Sequence, residues 1–89
     1  MIPEIKKGIA VISKKGRDKG RVFVVLYTVD ADFALICDGD TRKLDRPKRK
    51  SRKHLRALPH EFPLLIEAAE NGSLKDSDIR EALASVELK

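Results

Sequence analysis

A chain of 89 residues, 42% hydrophobic and 37% charged, supports one small core and not two. No run approaches the roughly 18 apolar residues of a membrane span. The opening MIPEIKKG lacks an apolar signal core, and one cysteine with two histidines gives neither an internal disulfide nor a zinc spacing. The expectation is a cytoplasmic protein without metal or cofactor. The net charge of +5 is unevenly spread: residues 1–41 hold seven Lys/Arg against six Asp/Glu, residues 42–59 nine against one, and residues 60–89 three against seven. Positive charge gathered into one stretch points to a polyanionic partner, most often nucleic acid.

In chain order, GIAVISKKG alternates as a short strand, with Ile9, Val11 and Ser13 on one face and Ala10 and Ile12 on the other, ending at Gly16. RVFVVLYTV is apolar on both faces and rich in β-branched and aromatic residues, so a strand covered on two sides is expected. A turn at 30–32 leads to a third strand, FALICD. Asp38-Gly39-Asp40 has the composition of a tight hairpin turn, which makes TRKL (41–44) the expected returning strand and DRPKRKSRK (45–53) a basic loop. HLRAL alternates again as a fifth strand. The period then changes. Phe62, Leu65, Ile66 and Ala69, and again Ile79, Ala82, Leu83 and Val86, fall at i, i+3, i+4, i+7, the spacing of two short amphipathic helices. Pro63 suits a first helical turn and Asn71-Gly72 a C-terminal cap. Asp76 and Asp78 lie in the second helix's first turn, with Lys75 before it where a Ser or Thr is usual. The pattern describes a mainly β fold, a small curled barrel of about five strands over 1–59, with two helices over 60–89 docked on the strand at 21–28.

Between the first two strands lies KKGRDKGR. Glycines admit backbone conformations closed to other residues, and N–H groups with cationic side chains make a cradle for phosphate. VISKKGRDKGRVFVV resembles a KOW motif: an apolar strand, basic residues, a Lys-Gly pair at Lys19-Gly20, then a second apolar strand. With DGDTRKLDRPKRKSRKHLRAL and LKDSDIREAL, residues 6 to 85 resemble bacterial KOW-domain RNA-binding proteins related to the archaeal and eukaryotic large-subunit ribosomal KOW proteins. The resemblance implies an SH3-like barrel that binds rRNA or the ribosome without catalysis. The residues expected to contact RNA are Lys14, Lys15, Gly16, Arg17, Lys19, Gly20 and Arg21 in the first loop. In the basic segment 42–54 they are Arg42, Lys43, Lys48, Arg49, Lys50, Arg52 and Lys53. Charge reversal at Lys48, Arg49 and Lys50 together is expected to abolish binding with folding intact.

Other features read more plainly. Phe23, Tyr27 and Phe33 sit in apolar runs and are expected in the core. With aromatics at 4% and no Trp, a single-strand stacking platform is not expected, and recognition of folded RNA through phosphate and shape is. Cys37 reads as core, Asp38-Gly39-Asp40 as a turn without the rest of a calcium loop, and His54 as a neighbour of phosphate. His60 reads as solvent-facing. No nucleophile motif or nucleotide-binding loop is visible, so no enzyme is expected. Glu67, Glu70, Asp76, Asp78, Glu81 and Glu87 give the helices an acidic outer face, either simply solvated or a contact for a basic ribosomal protein. The competing reading is an SH3-like protein-interaction module in transcription or translation control. A monomer is expected.

Overall fold

The apolar runs become strands largely where the sequence places them. The structure, a computed structural model, describes residues 4–86. β1 (Ile9–Ser13), β2 (Val22–Thr28), β3 (Phe33–Cys37), β4 (Lys48–Ser51) and β5 (Leu55–Glu61) form one antiparallel sheet in the order β4-β3-β2-β1-β5. The two edge strands, β4 and β5, are joined by only a three-residue 3-10 turn, Arg52–His54. A sheet whose edges are so linked must curl, and its inner face closes around Ile9, Val11, Phe23, Val25, Ala34, Ile36, Leu55 and Ala57. Among the described residues no ladder joins β4 to β5. Each fully buried Val, Ile or Phe in this core contributes about 1.5–3 kcal/mol.

The helices cover part of the outer face of β2, as expected, and with it Cys37 at the end of β3. α1 (Pro63–Glu70) and α2 (Asp76–Ala84) place Leu65, Ile79 and Leu83 over Val24, Leu26 and Cys37, with Phe62, Leu74 and Leu44 completing the layer. Helices of eight and nine residues do not persist alone in water, and this burial sustains them. Pro63 opens α1, and beyond its end the N–H of Ser73 donates to Ala68 O at 2.9 Å. At α2 the Asp78 carboxylate accepts the Lys75 N–H at 3.0 Å, half of a capping box, because lysine has no acceptor to return.

Two expectations need correction. TRKL is not a strand, and the stretch expected as a loop contains β4: Ile36 pairs with Lys48, Leu35 with Arg49, Ala34 with Lys50 and Phe33 with Ser51. The reason lies at the turn. The Asp38 carboxylate gathers the N–H groups of Asp40 (2.9 Å) and Arg42 (2.8 Å) and the Thr41 hydroxyl (2.8 Å). Gly39 is pressed beneath α2, where Arg80 donates to its carbonyl at 2.7 Å, and Leu44 N–H donates to Asp76 Oδ1 at 2.8 Å. Leu44 therefore belongs to the helical layer, and the chain returns to β3 only at Lys48. The second correction concerns the acidic face. Asp76 and Asp78 are half-buried and hold backbone N–H groups, so of the acids expected on that helical face Glu67, Glu70 and Glu81 are the exposed ones among the described residues. Glu87 lies outside the described residues.

Candidate nucleic-acid interface

The 14–21 segment between β1 and β2 is folded on itself by its own backbone. Ser13 N–H donates to Arg21 O (3.0 Å), Gly20 N–H to Ser13 O (2.9 Å) and Arg21 N–H to Asp18 O (2.9 Å). Gly20 takes φ +87°, in the left-handed region, and a Cβ there would meet no atom within 4 Å. The glycine thus serves the turn and leaves the outer side of the loop open. The N–H groups of Lys15, Gly16 and Arg17 donate to none of the described residues. Around them Lys14, Lys15, Arg17 and Lys19 are exposed, and none pairs with a carboxylate of the described residues.

Asp18 ties this loop to the other basic segment. Its buried carboxylate accepts a short hydrogen bond from the Lys48 ammonium of β4, with the Arg42 guanidinium 3.9 Å away. The Lys48 bond holds the Asp18 carboxyl below the usual carboxylate range, against burial, which alone would raise it. Nearby, Lys50 is only 8% exposed and donates from Nζ to Lys15 O at 2.9 Å. Lys14 N–H donates to His54 O at 2.8 Å. Loop, strand and 3-10 turn are laced into one surface. Sequence reasoning missed Asp18, although a lone carboxylate among five cations was a visible signal.

The expected contact residues therefore divide. Lys14, Lys15, Gly16, Arg17, Lys19, Gly20, Lys43 and Lys53 are exposed, and Arg21 is exposed with its guanidinium 3.8 Å from Asp38. Arg42 is half-buried beside Asp18. Lys48 and Lys50 point inward, on the side of Ile36 and Ala34, and serve the fold. Arg52 donates to Asp30 O (3.3 Å) and Ile5 O (3.2 Å). Arg49 points outward, its guanidinium 4.1 Å from the centre of the Phe33 ring. Charge reversal at Lys48, Arg49 and Lys50 would thus break the Asp18 and Lys15 contacts, and folding would not stay intact. Arg46 and Arg56 are also exposed and add to the positive surface.

His54 lies where the two segments meet. Partial removal from water, and then Lys15, Lys53, Lys50 and Lys14, hold its pKa below the ordinary histidine value. The aromatics did not all enter the core. Phe23 is fully buried, Phe33 is half-buried, and Tyr27 is 55% exposed. Tyr27 lies at the border of the part of the sheet that the helices cover, lining a groove with Leu65 and Glu70 of α1. Compared with models of known protein families and with curated proteins, the chain matches none.

Proposed function

We propose that the protein is a non-enzymatic RNA-binding domain that docks on structured RNA through phosphate contacts. The observation that carries this reading is the junction at Asp18. It neutralises the inward cation Lys48 and brings the 14–21 loop against β4 and the 3-10 turn, leaving Lys14, Lys15, Arg17, Lys19 and Lys53 exposed on connected segments. The N–H groups of Lys15, Gly16 and Arg17, which donate to none of the described residues, add donors suited to an anion. The KOW resemblance of residues 11–25 supports the same reading. It makes rRNA of the large subunit, in the cytoplasm, the proposed target, with an SH3-like barrel as the proposed closed form of the curled sheet. The acidic, Leu64-bearing groove between α1 and α2 offers a contact for a basic ribosomal protein.

Contact with about five phosphates gives a log affinity that falls with log salt at a slope of roughly −3 to −5. The test is sedimentation of tagged protein through a sucrose gradient of lysate, at low and high salt, with and without RNase. Migration with the large subunit, lost at high salt or after RNase, is the expected result. Protein that stays at the top of the gradient at low salt, and binds purified rRNA without salt dependence, would overturn the proposal.

A further inference from the structure

The outer face of the sheet is only partly roofed. Between Val25 and Tyr27 the register of β2 against β3 slips, so both Leu26 and Tyr27 lie on the outer side. Leu26 goes under the helices, and Tyr27 emerges past them. Tyr27 stands opposite Leu35, and Leu35 opposite Arg49, so the three form a row across β2, β3 and β4. Directly paired residues share a face, and Ala34 and Ile36, next to Leu35, point into the core. Phe33 and Ser51, paired with each other, form the adjoining row on the same side.

Cations lie over both aromatic rings. Lys7 Nζ is 5.5 Å from the centre of Tyr27, and the Arg49 guanidinium is 4.1 Å from the centre of Phe33. Neither cation pairs with a carboxylate of the described residues. Beside Phe33 opens a notch of about 250 Å³ lined by Asp32, Ser51, Arg52 and Lys53. The Asp30 carboxylate is spent on its own turn, accepting the N–H groups of Asp32 (2.7 Å) and Phe33 (2.9 Å). The balance of Lys7, Arg49, Arg52 and Lys53 against Asp30, Asp32 and Glu70, which lines a groove with Lys7 and Tyr27, is still positive. A second copy of the chain on this face would bring two net-positive surfaces together, which disfavours a dimer here.

We propose that this face holds unpaired nucleobases, stacked on the Tyr27 ring and on the open side of the Arg49 guanidinium that Phe33 supports. Every base offers a π-face, and both aromatic rings and guanidinium planes accept it. The 3-10 turn carries Arg52 and Lys53 from this face toward Lys14 and Lys15, so a strand leaving a phosphate-bound helix can continue onto it. The inference rests on the RNA-binding reading above and extends it from folded RNA to a junction between duplex and single strand. It also revises the expectation that scarce aromatics exclude stacking, because two of the four sit at the surface.

The test compares two RNA hairpins, one blunt and one with a six-adenosine 3′ tail carrying 2-aminopurine, against the wild type, Tyr27→Leu and Arg49→Lys. Tyr27→Leu removes a ring but no charge, and Arg49→Lys keeps charge but removes the plane. The tail should tighten wild-type binding and its fluorescence should be quenched. Each variant should lose roughly tenfold affinity for the tailed hairpin. Tyr27→Leu should keep the wild-type affinity for the blunt hairpin, and both variants should keep the wild-type salt slope and melting temperature. A tail that adds nothing, with both variants indistinguishable from wild type while the blunt hairpin still binds, overturns the platform and leaves the basic interface standing. Failure of both hairpins to bind would bring down the RNA reading and the platform together.

Discussion

Removing the charge at Asp18 cuts one tie between the basic loop and β4 and leaves those made by Lys50 and His54 in place. Its partner Lys48 is a quarter exposed, so screening trims the pair, and Asp18→Asn should cost about 1–2 kcal/mol at pH 7. The folded pKa of Asp18 is depressed, so its contribution is complete above the unfolded value of about 4 and fades as pH falls through the folded value. Urea unfolding at pH 7 and pH 2.5 checks this. A gap between wild type and variant that persists undiminished in acid would contradict it. His54 carries the opposite sign on binding. Partial removal from water, and then the neighbouring cations, hold its free pKa down; a docked phosphate raises it, so binding takes up a proton. RNA affinity should rise as pH falls from 7.5 to 5.5, and His54→Asn should flatten that rise. At Cys37 burial, then Asp38 and Asp76, push the thiol up to about 12. The native protein should therefore resist a thiol reagent at pH 8 and react only once unfolded.

Among the elements, the two loops at Gly20 and Gly39 differ in what surrounds them. Both glycines take positive φ, +87° and +75°. Gly20→Ala should cost about 1–2 kcal/mol, the left-handed penalty alone, because its Cβ enters open space. Gly39→Ala adds a collision with the Asp76 carbonyl at the start of α2, which is backbone and cannot swing aside. It should cost more, about 3 kcal/mol or above, and loosen α2. Thermal melts of the two variants make the comparison. If Gly39→Ala proved the milder, the docking of the 38–44 loop under α2 would be wrong. The same docking explains why β4 was illegible. KRKS has no apolar alternation, and it becomes a strand because β3 offers it an edge and the amines of Lys48 and Lys50 find oxygen partners. By contrast β1, β2, β3 and β5 carry their own alternation or β-branched runs, and both helices carry their own period.

At the scale of the molecule, β2 is the strand both layers share. Phe23 and Val25 face the curled core, and Val24 and Leu26 the helices, so helices and sheet should unfold together. The exposed cations take no part in either layer. Arg17→Glu with Lys19→Glu should leave the melting temperature nearly unchanged. It should sharply weaken RNA binding and make the salt slope shallower by about two. A large loss of stability would instead assign these two residues to the fold, as the structure does for Lys48 and Lys50.

The sequence alone determined the class of fold, a small mainly β domain with two trailing helices, because period and burial are local properties of apolar residues. It also marked the basic segments, because charge is additive along a chain. Only the tertiary structure decided which cations are spent indoors and which face solvent, since that depends on Asp18 and the Lys15 carbonyl, which meet Lys48 and Lys50 from about thirty residues away. It likewise decided that Tyr27 is exposed and that Phe33 is half-buried at the surface. A one-residue bulge and the edge of a helical layer set their exposure, and neither leaves a mark in the pattern of the strand itself.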